Sequence, residues 1–140
     1  MAEYEPTIIA FVCNWCTYTA ADLAGTSRLA YPPNTRLIKM MCTGMVDPKY
    51  VIKAFLEGAD AVLISGCHPG DCHYINGNFK ARRRVKLLKE ILPRFGFDES
   101  RVKLTWIGAS EGVDFAKTMR EIAAEIKELG PTEVREQMVL

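Results

Sequence analysis

The sequence has no long apolar segment and no excess of charge of either sign. No apolar run approaches the roughly 20 residues that a membrane-spanning helix needs. The 18 basic and 17 acidic residues give a net charge of +1, which does not favour general binding to nucleic acid or to a membrane surface. Residues 1–6 are acidic rather than basic and apolar, so we expect no secretory signal and a cytoplasmic location.

The common signatures of catalysis are also missing. No Gly-x-Gly-x-x-Gly sequence follows the first predicted strand, so the fingerprint of a dinucleotide site is absent. The sequence contains neither a P-loop nor a nucleophile elbow. We therefore predict no catalytic residues and expect no independent active site.

The chain alternates between short apolar runs and helical patterns over its 140 residues. This alternation predicts an α/β fold with a parallel sheet and helices on both faces. The expected arrangement is a flavodoxin-like three-layer sandwich with strand order 2-1-3-4. We predict that residues 1–130 form a single domain and that residues 131–140 form a polar tail. The predicted strands are 7–12, 35–40, 61–65 and 102–107, and the predicted helices are 20–29, 48–57, 75–92 and 112–129.

Two of the predicted helices carry informative local patterns. Asp47 can cap the second helix, Pro48 suits its first turn, and Gly58 suits its end. The third helix has apolar residues near one side, which predicts its buried face. These residues are Ile75, Phe79, Val85, Leu88 and Leu92.

Cysteines supply the main chemical signal, because each follows a predicted strand. The densest segment is 66–74, Gly-Cys-His-Pro-Gly-Asp-Cys-His-Tyr. In the predicted strand order the first three strands are neighbours about 4.8 Å apart, so their ends lie within about 10 Å. Convergence at the carboxyl edge, where such sheets bind ligands, predicts a thiolate metal site. The candidate ligands are Cys13, Cys16, Cys42, Cys67 and Cys72.

Thiolates are soft ligands that suit iron–sulfur clusters, zinc and copper(I). Four of them complete a 2Fe–2S or 4Fe–4S cluster, or a tetrahedral zinc site. Five cysteines therefore leave one over, and the sequence does not identify it. Two other hypotheses remain open: an adaptor with a structural zinc site, and a dithiol–disulfide oxidoreductase that uses Cys13/Cys16 or Cys67/Cys72.

Other conspicuous residues are expected to have supporting roles. Since thiols suffice as ligands, His68 and His73 are expected to support the site rather than to bind a metal. Trp15 is expected in the core, and Glu111 is expected to begin the last helix. The basic run 82–84 is typical of a solvated helix face, with docking of an acidic partner as the alternative.

Three cysteine motifs occur together: Cys13-x-x-Cys16, the segment 42–48 (Cys-Thr-Gly-x-Val-Asp-Pro), and the segment 66–74 followed by Gly77-Asn78. In this combination they resemble the iron–sulfur delta subunit of the methyl-viologen-reducing nickel–iron hydrogenase of methanogenic archaea. The resemblance covers essentially the whole chain. It implies a 2Fe–2S cluster held by cysteines.

The resemblance also implies a place in an oxidoreductase complex of methanogenesis. The expected partners are the nickel–iron hydrogenase subunits and the flavin-containing subunit of heterodisulfide reductase. Electrons from hydrogen oxidation would pass through the chain to the flavin at which electron bifurcation occurs. The tail 131–140 and the basic run 82–84 are candidate contacts with these partners.

Overall fold

A computed structural model describes residues 4–139, with side chains described through residue 137. The strands are β1 (Ile8–Cys13), β2 (Thr35–Met40), β3 (Ala61–Gly66) and β4 (Val102–Trp106). The helices are α1 (Thr17–Thr26), α2 (Pro48–Leu56), α3 (Gly77–Ile91), α4 (Gly112–Leu129) and α5 (Glu133–Val139). Within residues 4–139, no helix is long and apolar enough to cross a membrane.

The four strands form one parallel sheet in the order β2-β1-β3-β4, which confirms the predicted fold. Cys13 at the end of β1 pairs with Met40 at the end of β2. Gly66 at the end of β3 pairs with Trp106 at the end of β4. Neighbouring strands therefore end nearly level, and the loops that follow them meet at one carboxyl edge.

Two apolar cores lie on opposite faces of the sheet. Successive side chains of a strand point to opposite faces, so Leu63 enters one core and Ile64 enters the other. Helices α1 and α4 cover the first core, while α2 and α3 cover the second. The central strands β1 and β3 are buried on both faces, as their continuous apolar sequences predict.

Helix α2 begins and ends as its sequence predicts. The Asp47 side chain accepts a hydrogen bond of 2.9 Å from the Lys49 N–H, and Pro48 is the first helical residue. Gly58 has a φ of 100°, a conformation that glycine adopts without steric cost. The chain then enters β3 within a few residues.

Helix α3 begins at Gly77, later than predicted, which changes its buried face. Ile75 precedes the helix with a φ of 75° and is 83% exposed, and Phe79 is also exposed. The prediction that these two residues are buried was wrong: Ile75 lies in the loop before the helix, and Phe79 lies in the first turn of the helix with its side chain exposed. The small residue Ala81 is buried there instead, and the remaining predicted positions are buried as expected: Val85, Leu88 and Leu92.

The predicted polar tail is largely the helix α5. Arg135 forms an ion pair with the fully buried Asp60 and donates hydrogen bonds to Thr7 Oγ1 (3.0 Å) and to the carbonyl of Glu5 (3.1 Å). These contacts fix α5 against the amino edge of the sheet, opposite the cysteines. The apolar end of the tail, at residues 138–140, lies outside the described side chains.

Candidate metal centre

The fold brings all five predicted thiols to the carboxyl edge of the sheet. Cys13 ends β1 and Cys67 directly follows β3, so the sheet fixes both positions. Cys16 precedes α1 and is half-buried, like Cys72 in the loop before α3. Each of the five is a free thiol: Cys13, Cys16, Cys42, Cys67 and Cys72.

Three of the thiols form a compact group. The Sγ atoms of Cys13, Cys16 and Cys67 all lie within 4.8 Å of one another. The Cys16 and Cys67 sulfurs are 2.8 Å apart, and those of Cys13 and Cys67 are 3.6 Å apart. We call this set the three-thiol group, and its donors are of the type that holds zinc or an iron–sulfur cluster.

The other two thiols form a pair beside the start of α3. The Sγ atoms of Cys42 and Cys72 are 3.9 Å apart. A Cβ atom at Gly77 would overlap the Cys42 sulfur, and one at Gly44 would lie 2.9 Å from the Gly77 Cα. Glycine at both positions therefore allows the loop after β2 to lie directly against the start of α3.

Main-chain N–H groups are directed at this thiol pair. The N–H of Gly44 donates to the Cys42 sulfur at 3.3 Å. The main-chain N–H groups of Asn78, Tyr74 and Gly77 also act on Cys72, and they lower its pKa. Such bonds favour the ionised form of a thiol, so they stabilise the negative charge of a thiolate ligand.

For most of the thiols, burial sets the direction of the pKa shift. It raises the pKa of Cys13, Cys16 and Cys42, and it raises the pKa of Cys67 to about 11. Burial also acts to raise the pKa of Cys72, but nearby main-chain N–H groups and the hydrogen bond with Cys42 outweigh it, so the pKa of Cys72 lies below its ordinary value.

These pKa directions bear on the chemistry of the site. Thiol–disulfide exchange requires a thiolate as the attacking group, so the raised pKa values disfavour that activity at Cys13/Cys16. A bound cation compensates the cost of buried thiolates, because metal binding displaces the thiol protons. The surroundings of Cys13 and Cys16 therefore fit a thiolate-bound metal or cluster better than a dithiol active site, whereas the lowered pKa of Cys72 leaves Cys67/Cys72 open as a dithiol pair.

Glu111 joins the loops that follow β3 and β4. The His68 Nε2 contacts its carboxylate, and the Gly108 N–H donates to Glu111 Oε1 at 2.6 Å. The hydrogen bond from His68 and then that from Gly108 lower the pKa of Glu111. Glu111 does precede α4, as predicted, but its side chain braces the cysteine loop and does not cap the helix.

An aromatic stack lies beside the site. The rings of Trp15 and His73 are 3.9 Å apart at 16°, and Trp15 Nε1 donates to the Tyr74 hydroxyl at 3.2 Å. Trp15 is 42% exposed, so the prediction that it packs in the core was wrong. The stack joins the loop after β1 to the loop after β3 at the surface.

Two polar residues that hold the cysteine loops were not predicted in this role. Asn78 is buried, and its side-chain amide donates to the carbonyls of Cys67 (3.0 Å) and His68 (3.1 Å). Arg84 donates to the carbonyls of Gly44 and Val46. The sequence did not indicate this role for Arg84, because Arg84 occurs within a basic run that is otherwise exposed.

Comparison with known proteins gives a family match over most of the chain. Residues 8–130 match the family described as FlpD, methyl-viologen-reducing hydrogenase, delta subunit. The chain is 51% identical over 137 residues to the iron–sulfur subunit of the vhc F420-non-reducing hydrogenase of Methanococcus voltae. The matched region covers 97% of this chain and 95% of that protein. It is 50% identical over 129 residues to the iron–sulfur subunit of the F420-non-reducing hydrogenase of Archaeoglobus profundus, covering 92% and 94%.

A third relative is a much longer protein. It is a subunit of the ferredoxin/F(420)H(2)-dependent CoB-CoM heterodisulfide reductase of Methanosarcina acetivorans. The identity is 48% over 126 residues, which is 90% of this chain but 16% of that protein. A segment similar to this chain is thus part of a heterodisulfide reductase polypeptide.

Proposed function

The chain belongs to the family of the delta subunit of methyl-viologen-reducing hydrogenase, and on that basis we propose that it transfers electrons within a larger complex and carries a 2Fe–2S cluster. It relays electrons from a nickel–iron hydrogenase to the flavin of a heterodisulfide reductase complex. The names of the relatives support this proposal, since they include hydrogenase iron–sulfur subunits and a heterodisulfide reductase subunit.

The observation that carries the proposal is the convergence of five free thiols at one sheet edge. When bound, a 2Fe–2S cluster would supply reversible one-electron transfer. Four cysteines hold such a cluster, so the proposed ligands come from the three-thiol group and the Cys42/Cys72 pair. Cys13, Cys42 and Cys67 are the strongest candidates, because each ends its strand or follows it within two residues.

The rest of the chain supports the site in two ways. The N–H groups directed at Cys42 and Cys72 stabilise negative charge at their sulfurs. The bonds made by Asn78, Glu111 and Arg84 hold three separate loops around the thiols. A rigid polar frame of this kind keeps the ligands in place when the charge at the site changes by one electron.

The surface around the thiols supports docking of a partner. A relay protein must bring its cofactor close to both a donor and an acceptor. Exposed apolar side chains on a protein surface often mark interaction sites. In the cysteine loops and at the start of α3 the exposed large apolar side chains are Trp15, Met41, Met45, Tyr74, Ile75 and Phe79. We propose that this surface meets one partner, and that the run 82–84 or residues 131–140 meet another.

Metal analysis of anaerobically purified protein tests the cofactor. The expected protein is brown, with iron and acid-labile sulfide in equal amounts. Its visible absorption should bleach on reduction and a paramagnetic signal should appear. Zinc without iron would instead support the structural adaptor, and a colourless protein without either metal would support the dithiol alternative.

Electron transfer needs a separate test. The holoprotein is mixed anaerobically with the hydrogenase subunits under hydrogen, and its visible absorption is followed before and after the flavin subunit is added. We expect bleaching that depends on hydrogen, followed by reduction of the flavin. A cluster that hydrogen does not reduce through the hydrogenase would contradict the relay while leaving the cofactor assignment intact.

A further inference from the structure

An apolar groove lies on the sheet face that carries α2, away from the cysteines. It has a volume of about 670 Å³, and no cysteine lines it. Ile9, Phe11 and Ile38 form its floor, and Tyr50 and Ala54 of α2 form one wall. Its size is within the range of about 300–1,000 Å³ typical of binding sites.

The groove exists because the helix layer on this face ends before it covers β2. Helix α2 directs Val51 and Phe55 into a core shared with Val62 of β3. On the other face of β2, Leu37 is packed against the core beneath α1 and α4. On the groove face, Ile38 is 41% exposed. Among the residues that the structure describes, none covers this apolar face of the edge strand β2 completely.

The rim of the groove has a net positive charge. Arg36 lies on the β2 side and Lys53 on the α2 side, and neither forms an ion pair with any described residue. Arg135 closes the amino end but is already paired with Asp60. Among the described residues that line the groove, Glu57 is the only acidic one. Charge complementarity therefore favours an occupant with acidic groups beside an apolar surface.

We propose that this groove binds an amphipathic helix of a partner protein, with apolar side chains on Ile9 and Ile38 and acidic side chains toward Arg36 and Lys53. This inference depends on one part of the proposed function, namely that the chain works within a multi-subunit assembly. A strand would pair with the edge of β2, whereas a helix fits on the face of a sheet beside another helix.

The dimensions of the groove agree with this occupant. Packed helices lie about 8–10 Å apart, and the groove extends from α2 to the edge strand. The α2 wall runs from Tyr50 to Glu57, which is about two helical turns. Two turns accommodate apolar residues at i, i+3 or i+4, and i+7 of a docked helix. The thiols lie at the other end of the strands, so this contact leaves them accessible to a second partner.

The first test changes the apolar floor. We compare Ile38→Glu with the matched control Leu87→Glu, an exposed leucine on α3. Binding of each holoprotein to the hydrogenase subunits, and separately to the reductase subunits, is measured by titration. Ile38→Glu should weaken binding to one partner by about tenfold or more, as at a buried interface position. Equal binding by Ile38→Glu, Leu87→Glu and the wild type would overturn the proposal.

The second test changes the charged rim. The double variant Arg36→Glu/Lys53→Glu should weaken the same interaction and reduce its dependence on salt concentration. Lys86→Glu/Arg94→Glu is the control with the same change in net charge at two exposed positions. If both double variants weaken binding equally, the effect is one of net charge, and the rim has no specific role.

The third test identifies the occupant directly. A photoreactive benzoyl-phenylalanine replaces Tyr50, and the assembled complex is irradiated and analysed by mass spectrometry. The expected crosslink joins the benzoyl-phenylalanine at position 50 to an acidic amphipathic helix of a partner protein. A crosslink to a second copy of this chain, a co-purified small molecule in the groove, or no crosslink in an intact assembly would each overturn the proposal. Iron and sulfide are measured in the same samples, so loss of the proposed cluster is distinguished from loss of the groove contact.

Discussion

The sulfur atoms of Cys16 and Cys67 lie 2.8 Å apart, although 51 residues separate them in the sequence. Cys67 is also 3.6 Å from the sulfur of Cys13, so it is the central member of the three-thiol group. The parallel pairing of β1 and β3 brings these residues together. The site therefore depends on sheet formation, and changes at single cysteines should have large effects.

Serine in place of Cys13, Cys42 or Cys67 should remove most of the cofactor. An oxygen ligand is harder than a thiolate and suits an iron–sulfur cluster poorly. Iron, acid-labile sulfide and visible absorption per chain are the measurements, with circular dichroism to confirm folding. Retention of full iron and sulfide in all three folded variants would mean that the ligands have been wrongly assigned.

Cys16→Ser and Cys72→Ser should differ from each other. Four thiolates complete a cluster, so one of the five cysteines is dispensable for holding it. Cys72 lies beside Cys42 and main-chain N–H groups lower its pKa, whereas Cys16 lies beside Cys67 and has a raised pKa. We expect one variant to keep its iron and sulfide and the other to lose them. Loss of the cluster in every cysteine variant would instead indicate that the fifth thiol is essential to the site.

Gly77→Ala should disturb the site without changing any cysteine. The added Cβ would overlap the Cys42 sulfur, so either this thiol or the start of α3 must move. We expect a lower iron content, or a shifted paramagnetic spectrum in the reduced protein. Gly25→Ala in α1 is the matched control, because no atom lies within 4 Å of its added Cβ. That control should be stabilised by roughly 0.5–1 kcal/mol, since alanine favours a helix over glycine. An unchanged spectrum and iron content in Gly77→Ala would show that the crowding is relieved elsewhere.

Arg135→Met should lower the free energy of unfolding by about 3 kcal/mol, because it leaves the buried Asp60 carboxylate without its cationic partner. One oxygen of Asp60 already has no hydrogen-bond partner among the described residues. Lys117→Met is the control, since its pair with Glu121 is exposed and worth about 0–1 kcal/mol. Urea unfolding of the three proteins gives the comparison, and equal losses for both variants would contradict the structural role of Arg135.

Charge reversal at Arg82 and Arg83 tests the proposed second partner contact. Both side chains are exposed, whereas Arg84 is half-buried and holds the loop after β2. The variant Arg82→Glu/Arg83→Glu keeps Arg84, so its cluster spectrum should be unchanged. We expect weaker co-purification with the hydrogenase or the flavin subunit. Normal assembly would place this contact elsewhere, with residues 131–140 as the remaining candidate.

The sequence predicted the fold well because its strands are short, apolar and separated by clear turn signals. Asp47 and Pro48 marked the start of α2 correctly, and the four strands form in the predicted order. The start of α3 was less predictable. Ile75 continues the apolar spacing of the helix, yet its positive φ places it in the preceding loop. Periodicity alone does not distinguish an exposed apolar residue before a helix from a buried one within it.

The site was predicted in outline and not in detail. Strand ends placed Cys13 and Cys67 together, but side-chain packing sets the division into a group of three and a pair. The roles of Glu111 and Arg84 depend on contacts between loops that are far apart in sequence: Glu111 with His68, and Arg84 with Gly44. The docking of α5 likewise depends on Asp60, whose burial the local sequence does not indicate.

The positions of the thiols along the sequence determine the order in which the parts of the site are synthesised. All five cysteines precede β4, whose last residue is Trp106, and they precede the glutamate that braces their loop. At about 5–20 residues per second, a ribosome adds the segment between Cys72 and Trp106 in roughly 2 to 7 s. During this interval the nascent chain has every proposed ligand but an incomplete sheet. The frame around the thiols is then still incomplete, so we expect the cofactor to be inserted only after β4 and Glu111 have been added.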